Sequence, residues 1–406
     1  MTLSPERVKV LLVENVHPTA RELLASVGFE VETIAHAPKE GELEARLPGV
    51  HILGLRSKTQ VSQRALEAGK DLLALGCFCI GTNQVALSAA HDRGVPVFNA
   101  PFSNTRSVAE LILSEIVALA RQLGDRSREV HEGKWRKVSA GCYEIRGKTL
   151  GIIGYGHIGT QVGVLAEAFG MRTVYYDIAT RLPIGNIRAV PSLEALMGES
   201  DFVTLHVPLT PQTENMIGEA ELAMMKPGSY LLNASRGSVV QIGPLAAGLR
   251  SKRLAGAAID VFPQEPESNV DDFVSELRGL PNVLLTPHIG GSTEEAQAAI
   301  GREVSISLMK FLKAGTSTGA VNFPQVELAQ PPSTHRILNV HRNVPGVLRD
   351  INRIVSDHSA NIRAQVLSTD AEVGYLIMDV DDNVSAEIPN EIAALKTNIR
   401  TRVLTG

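Results

Sequence analysis

The feature that most constrains the fold of this chain is a glycine-rich turn between an apolar run and a helical pattern. The run Thr149 to Ile153 is followed by Gly154-Tyr155-Gly156-His157-Ile158-Gly159. In such a turn the first glycine allows a sharp bend, the second lets a phosphate approach the backbone, and the third lets the helix pack closely on the strand. A second apolar run, Thr173 to Tyr176, ends in the acid Asp177 about 20 residues further on.

This order of strand, glycine turn, helix, strand and acid predicts a Rossmann domain that binds a dinucleotide. Gly154, Gly156 and Gly159 would carry the pyrophosphate at the helix N-terminus, where backbone N–H groups attract anions. Asp177 would accept hydrogen bonds from the adenosine ribose, and its charge would repel the 2′-phosphate of NADP, which favours NAD. The alternative is a glycine-rich turn without a ligand, which leaves the acid unexplained.

The hydrophobic pattern predicts two sets of alternating strands and helices. One set runs from Val8 to Phe98 and the other from Thr149 to His288, and long helical patterns at Arg106–Leu123 and Thr293–Leu312 bracket the second set. Such alternation is typical of parallel sheets covered by helices. We therefore expect an α/β fold with two doubly wound parallel-sheet domains, one inserted in the other. The predicted ranges are 1–104 with 295–330 for the outer domain and 105–294 for the inserted one.

A third domain is predicted after a linker. The stretch Asn322 to Ser333 contains Pro324, Pro331 and Pro332, a composition typical of linkers. Beyond it, residues 335–406 follow the order strand, helix, strand, strand, helix, strand, which predicts a ferredoxin-like module.

Composition narrows the class of protein. The chain of 406 residues carries 39 Lys and Arg against 44 Asp and Glu, and the basic residues are scattered, so a nucleic-acid partner is not expected. No run approaches the roughly 20 apolar residues that a membrane-spanning helix needs, and the N-terminus lacks the apolar core of a signal peptide. The three cysteines have no ligand spacing. We expect a cytoplasmic protein without a bound metal.

Three polar residues follow apolar runs in the second set, where the strands of an open sheet end and ligands gather. They are Arg236, Glu265 and His288. An arginine can clamp a carboxylate, a histidine can exchange a proton near neutral pH, and a carboxylate can orient that histidine. Together they supply the binding and proton-transfer groups that oxidation of an α-hydroxy acid requires. On spacing alone, Arg236 could equally form a surface salt bridge and His288 could cap a helix.

Four segments are similar, in order and spacing, to the D-isomer-specific 2-hydroxyacid dehydrogenase family. They are Gly154–Gly159, Asn233–Gly237, Asp260–Phe262 with Glu265-Pro266, and Thr286–Gly291. Three further segments resemble the branch of that family that oxidises D-3-phosphoglycerate at the start of serine biosynthesis: Leu55–Ser57, Gly76–Asn83 and Asn99–Glu110. The resemblance covers nearly the whole chain, and the closest similarity is to the shorter bacterial type with a C-terminal ACT domain.

The resemblance implies a role for each matching residue. Arg236 would hold the substrate carboxylate and C2 oxygen, His288 would accept the hydroxyl proton as hydride leaves C2, and Glu265 would support His288. Arg56, Ser57 and Asn104 would bind the far end of the substrate, because a phosphate carries about two negative charges and favours guanidinium and polar donors. Arg56 could instead be a surface arginine. The further residues implied on the cofactor are His157, Ile158, Ala234, Ser235, Asp260, Ile289, Gly290 and Gly291, joined by Arg236 and His288.

The C-terminal module resembles ACT domains, which pair edge to edge and bind amino acids. In that resemblance His341, Asn343 and Asn361 would bind L-serine across a subunit boundary as a feedback effector, and the protein would be a homotetramer. The three domains would then be substrate-binding, NAD-binding and regulatory. A pairing module that has lost its effector is the alternative.

Two rival functions stay open. One is another activity of the same family, on glycerate, lactate, formate or 2-hydroxyglutarate, and reduction of 2-oxoglutarate is expected as a plausible second activity. The other is a different class, an NAD-sensing, corepressor-like binding protein of the same fold. An assay for turnover distinguishes the enzyme from this binding protein.

Overall fold

The computed structural model describes residues 8–266, 271–329, 334–381 and 387–405. The chain packs as two compact units, the first formed by Met1–Ser103 with Gln297–Gly406 and the second by Asn104–Ala296. Within the expected linker, Pro331 and Pro332 lie outside the described residues. Each unit is built around its own parallel sheet.

The first unit contains a five-stranded parallel sheet in the order β2-β1-β3-β4-β5. Its central strands are buried along their whole length, because helices cover both faces of such a sheet and the strand sequences are correspondingly apolar. The strands are β1 (Lys9–Leu12), β2 (Glu30–Thr33), β3 (Ile52–Leu55), β4 (Ala74–Cys77) and β5 (Val97–Phe98), and the helices are α1 (Pro18–Ser26), α2 (Glu40–Arg46), α3 (Gln63–Ala68) and α4 (Leu87–Asp92).

The second unit contains a seven-stranded parallel sheet in the order β12-β11-β10-β9-β6-β7-β8. The strand order reverses beside β6, so the carboxyl end of β6 is the switch point at which ligands bind in such sheets. Its elements are α5 (Thr105–Arg121), α6 (Leu123–His131), β6 (Thr149–Ile153), α7 (His157–Ala168), β7 (Arg172–Tyr176), β8 (Arg188–Ala189), α8 (Leu193–Glu199), β9 (Phe202–Leu205), α9 (Glu219–Met224), β10 (Ser229–Asn233), α10 (Ile242–Arg250), β11 (Leu254–Ile259) and β12 (Val283–Leu285).

The C-terminal module has a four-stranded antiparallel sheet in the order β14-β15-β13-β16. With its two helices it forms the predicted ferredoxin-like order. The remaining elements of the chain are α11 (Glu294–Ala314), β13 (Thr334–Arg342), α12 (Val347–Asp357), β14 (Ile362–Thr369), β15 (Val373–Asp381), α13 (Glu387–Ala393) and β16 (Asn398–Thr405).

This module belongs to the first unit because the two share an apolar core. Tyr375 lies in that core with Phe98 and Phe311, and its hydroxyl donates a hydrogen bond of 2.6 Å to the carbonyl of Gly315. The three-domain division therefore stays a prediction, since the packing of the chain distinguishes two units.

A buried ion pair fixes the start of the module. Arg336 and Asp379 are both fully buried, with Nε–Oδ1 and Nη2–Oδ2 distances of 2.6 and 2.7 Å. The remaining donors of Arg336 reach the carbonyls of Ala314 and Leu328, each at 2.8 Å. The guanidinium thus ties β13 and β15 to the end of α11.

The predicted fold class is confirmed. Two parallel α/β sheets and one antiparallel ferredoxin-like sheet are present, and the sequence interval of the second sheet lies between the two parts of the first unit. In the part of the chain that the structure describes, no helix is both long and apolar enough to cross a membrane.

Candidate active site

The three residues predicted to do the chemistry all lie in the second unit, after neighbouring strands. Arg236, Glu265 and His288 follow β10, β11 and β12, which are adjacent in the sheet and run parallel. Their carboxyl ends therefore meet at one edge. A Cβ on Gly237 would overlap the backbone carbonyl of Phe262, so the absence of a side chain there lets the turn after β10 approach the segment that carries Glu265.

His288 and Glu265 form a direct pair. Nδ1 of His288 lies 2.9 and 3.1 Å from the two carboxylate oxygens of Glu265, so Nε2 is the ring nitrogen left for a substrate. The hydrogen bond that His288 donates to Glu265 is the largest cause that raises the pKa of His288; burial opposes it, and the charges of Glu265 and Asp260 add to it. The pair is half exposed. It suits a histidine that gains and loses a proton during a reaction.

Glu265 stays ionised beside this histidine. Burial works against its charged form, but the hydrogen bond and charge of His288, the Phe262 amide and the charge of Arg236 together hold the pKa of Glu265 below its ordinary value. The charge of Arg236 also lowers the proton affinity of His288. Arg236 therefore lies close enough to act electrostatically on both partners.

Asp260 holds the loop that carries His288. It is only 1% exposed, and its carboxylate accepts hydrogen bonds from the backbone of Ile289 and Gly290, each at 2.8 Å, and from the hydroxyl of Thr286 at 2.6 Å. Its backbone oxygen accepts a bond from the amide of His288. Asp260 was predicted to contact the nicotinamide, and its hydrogen bonds make it the anchor of the loop that carries His288.

The loop needs that anchor because His288 has a left-handed backbone with φ of 55°. A non-glycine residue adopts this conformation at a cost and only where its surroundings hold it. The four bonds to Asp260 and the Nδ1–Glu265 pair provide this hold. They fix both the backbone and the ring of the histidine.

Asn233 organises the turn before Arg236. It is buried, its side-chain oxygen accepts bonds from the amide and hydroxyl of Ser235 at 3.0 and 2.8 Å, and its side-chain nitrogen donates to the carbonyl of Arg236 at 3.0 Å. Arg236 itself donates to the carbonyl of Ser235. Asn233 was part of a matching motif but was not among the predicted site residues.

The predicted cofactor turn follows β6 at the switch point. Gly154 has φ of 90°, and a Cβ on it would overlap the carbonyl of His206, so both conformation and space require glycine. A Cβ on Gly156 would meet nothing within 4 Å. This open side faces the start of α7, whose first residues, His157 and Ile158, are among those predicted to contact the cofactor.

Asp177 lies beside this turn. One of its carboxylate oxygens accepts a hydrogen bond of 2.8 Å from the amide of Tyr155, and the other accepts one from Ala179. Its carboxylate thus sits at the end of β7, next to the glycines. The open side of Gly156, the helix N-terminus and this acid fit a dinucleotide: the turn would take the pyrophosphate and Asp177 the ribose.

The predicted contacts with the far end of the substrate lie in both units. In the first unit, Ser57 is exposed and Arg56 is half buried. The carboxylate of Glu14 accepts bonds from the amides of Arg56, Lys58 and Thr59 at 3.2, 3.0 and 2.6 Å. Glu14 was not predicted; its role became visible only when the fold brought β1 beside β3.

Asn104 belongs to the second unit and precedes α5. It is 9% exposed, and its buried side-chain oxygen has no hydrogen-bond partner among the described residues. A Cβ on Gly291 would lie 2.6 Å from its side-chain nitrogen. Asn104 therefore borders the predicted catalytic loop.

The predicted effector residues do not converge within one chain. His341 lies opposite Gly374 near the start of β15, and the amide of Asn343 bonds to Glu372. Asn361 lies next to the other end of β15, where its carbonyl accepts a bond from Asp381. Along a strand this separation is roughly 20 Å.

Two family models match the chain. Residues 113–290 match the family model described as D-isomer specific 2-hydroxyacid dehydrogenase, NAD binding domain, and residues 337–400 match the AHAS small subunit-like ACT domain. A D-3-phosphoglycerate dehydrogenase of Dictyostelium discoideum is 58% identical over 399 residues, or 98% of each chain. The chain belongs to the D-3-phosphoglycerate dehydrogenase family. Another member, from Escherichia coli K12, is 49% identical over 100% of this chain and 99% of its own.

Solved structures agree with this family assignment. The D-lactate dehydrogenase of Aquifex aeolicus, complexed with NAD and lactic acid, is 26% identical and has a TM-score of 0.66 over 75% of this chain and 95% of its own. The predicted family, its NAD cofactor and its ACT domain are thereby confirmed. The roles of individual residues in a D-3-phosphoglycerate dehydrogenase site stay predictions.

Proposed function

We propose that the protein oxidises D-3-phosphoglycerate to 3-phosphohydroxypyruvate with NAD, the first step of the phosphorylated route to L-serine. The observation that carries this proposal is the pair between Nδ1 of His288 and Glu265, with Arg236 close enough to act on both. A carboxylate clamp and a proton acceptor at one sheet edge are what oxidation of a 2-hydroxy acid requires.

The residues would divide the work as follows. Arg236 binds the substrate carboxylate and the C2 oxygen, which fixes C2 for transfer. Nε2 of His288 accepts the proton of the C2 hydroxyl, while Glu265 stabilises the imidazolium that forms. NAD, when bound, supplies the acceptor for the hydride that leaves C2. The hydride and the proton account for the two electrons and two hydrogens lost by the alcohol.

Cofactor binding would use the residues around the switch point. Gly154, Gly156 and Gly159 with the start of α7 take the pyrophosphate, and Asp177 takes the adenosine ribose. On the nicotinamide side the proposed residues are Ala234, Ser235, Arg236, Asp260, His288, Ile289, Gly290 and Gly291.

Specificity for a phosphorylated substrate would come from Arg56, Ser57 and Asn104. A phosphate favours a guanidinium and polar donors, and the amides flanking Ser57 are fixed by Glu14. Reduction of 2-oxoglutarate, which lacks a phosphate, stays a prediction as a second activity.

Feedback by L-serine would use His341 and Asn343 of one subunit with Asn361 of another. Their separation within one chain supports a site completed by a second ACT domain. The Asn343 side chain donates a hydrogen bond of 2.6 Å to the carbonyl of Asp370. The carboxylate of Asp370 in turn lies 2.7 Å from Nε2 of His91. These contacts join the loop that carries Asn343 to α4, which carries His91. The homotetramer and the cytoplasmic location stay part of the proposal.

The decisive test is NADH formation from D-3-phosphoglycerate and NADH consumption with 3-phosphohydroxypyruvate, each with and without L-serine. Turnover in both directions is expected, with serine suppressing it. Absence of turnover with either substrate would contradict the proposed reaction and direct attention to 2-oxoglutarate, glycerate or an NAD-sensing role. Turnover that serine leaves unchanged would contradict the effector assignment alone.

A further inference from the structure

One buried carboxyl group in the second unit has no role in the reaction as described. Glu115 lies on α5, is 4% exposed, and its Oε1 has no hydrogen-bond partner among the described residues. A buried polar atom without a partner is costly, so such groups are rare unless they serve a purpose. The apolar cluster that contains the buried face of α5 includes three phenols, those of Tyr155, Tyr175 and Tyr230.

The helix that carries Glu115 lies against the catalytic loop. A Cβ on Gly290 would be 3.4 Å from Val108 and 3.9 Å from Leu111, both on α5. Residues three and four apart share one face of a helix. Glu115 therefore follows Leu111 by one turn on the face that supports the loop.

The charged group that acts on Glu115 is Asp260, the anchor of that loop. Burial is the main cause that raises the pKa of Glu115 to about 8, and the charge of Asp260 raises it further. The phenols in this core do not compete, because burial raises the pKa of Tyr230 to about 12 and that of Tyr155 above its ordinary value. At neutral pH Glu115 is mostly protonated, and Asp260 faces no second negative charge from α5.

We propose that Glu115 is a positioning residue for the reaction, which acts through Asp260 on the loop that carries His288. As a neutral acid it leaves the Asp260 carboxylate to hold the amides of Ile289 and Gly290. When Glu115 ionises, two carboxylates lie close together in a buried site, an arrangement that is relieved by proton uptake or by movement. The bonds to the loop are the contacts that such movement weakens.

The inference rests on the proposed function and predicts an alkaline loss of activity. In the full-length protein, kcat/KM for D-3-phosphoglycerate is measured from about pH 6.5 to about pH 9.5 for the wild type and for Glu115→Gln, which stays neutral. Relative to the wild type, E115Q is expected to gain about three- to tenfold in kcat/KM between neutral and alkaline pH. Glu110→Gln, an exposed change on the same helix, is the matched control and should keep the wild-type profile.

Two further measurements separate positioning from mere stability. Because the pKa of Glu115 rises from 4.5 to about 8 on folding, the folded state holds the extra proton in this window. The free energy of unfolding of the wild type should therefore fall relative to E115Q as pH rises from about 4.5 to about 8, and stay level above it. A stability difference of this kind with parallel activity profiles would overturn the positioning role.

NADH affinity, measured by calorimetry at the same pH values, tests the loop without turnover. Wild-type affinity should weaken above about pH 8 relative to E115Q, because residues 289–291 are proposed to close over the cofactor. Equal pH dependence in both proteins would overturn the inference. If neither protein oxidises phosphoglycerate, the proposed function fails while this binding test still decides the role of Glu115. Glu115→Met, also neutral, replaces E115Q if that variant does not fold.

Discussion

The loop that carries His288 and the strand β13, which carries His341, place the same side chain in opposite environments. His288 is half exposed and its Nδ1 pairs with the carboxylate of Glu265, which raises its pKa. His341 is buried, its Nδ1 contacts the side-chain oxygen of Asn339 at 2.8 Å, and burial lowers its pKa. A charged partner prepares a histidine to exchange a proton, whereas a neutral partner in a buried site keeps it a neutral hydrogen-bonding group.

The largest effect should come from removing the proton acceptor. His288→Gln is expected to lower kcat by about 10³-fold in both directions, because general acid–base catalysis contributes about 10² to 10⁴-fold. Steady-state kinetics with D-3-phosphoglycerate and with 3-phosphohydroxypyruvate measure it. His131→Gln, an exposed change at the last residue of α6, is the control. A loss below about tenfold would remove His288 from the proposed chemistry.

Replacing Glu265, the carboxylate partner of His288, by an amide should give His288 a neutral partner like that of His341. Glu265→Gln is expected to lower kcat/KM by about 10- to 100-fold. Since Glu265 raises the pKa of His288, its removal lets the neutral imidazole form at lower pH. The rise of the oxidation rate with pH should then begin at lower pH, which a pH profile of kcat/KM detects. Glu265→Asp keeps the charge and should recover part of the rate; an unshifted profile in E265Q would contradict the pairing.

The reverse exchange, from an amide to a carboxylate partner, should let His341 take up a proton near neutral pH. In Asn339→Asp the new carboxylate raises the pKa of His341, so serine inhibition should change several-fold between about pH 8 and pH 6. The variant also loses the bonds from Asn339 to Asn398 and Thr401, each 2.9 Å, at about 1–3 kcal/mol of stability. Half-inhibiting serine concentrations and urea unfolding measure the two effects. Asn339→Ala should show the stability loss without pH dependence, and equal pH dependence in both variants would break the comparison.

The smallest effect concerns the contacts that join the loop carrying Asn343 to α4. His91→Gln removes the contact between the imidazole and the carboxylate of Asp370, whose carbonyl accepts a hydrogen bond from the Asn343 side chain. We expect the half-inhibiting serine concentration to shift by about two- to threefold, the range of a weak, partly exposed pair. The control is Asp92→Asn, which breaks the neighbouring ion pair between Asp92 and Arg342. That ion pair does not involve Asp370. Equal shifts in the two variants would assign the effect to general loosening.

The sequence predicted those features whose signal is local. The glycine turn and Asp177 were visible because their spacing follows from one strand, turn and helix, and β6 begins and ends at the predicted residues. Glu14 and Asp260 act through partners that are distant in sequence, such as Glu14 on the amides after β3. Only the register of the sheets brings these groups together, so their roles as anchors could not be predicted from spacing.

The shared core between the C-terminal module and the rest of the first unit has a consequence for engineering. A variant without the proposed serine feedback would most simply be sought by cutting the chain at the proline-containing linker. Such a cut would remove Tyr375, whose ring lies 5.2 Å from that of Phe323 and 6.4 Å from that of Phe311, and would leave an apolar surface prone to aggregation. Desensitised variants should therefore be made by point substitution in the module.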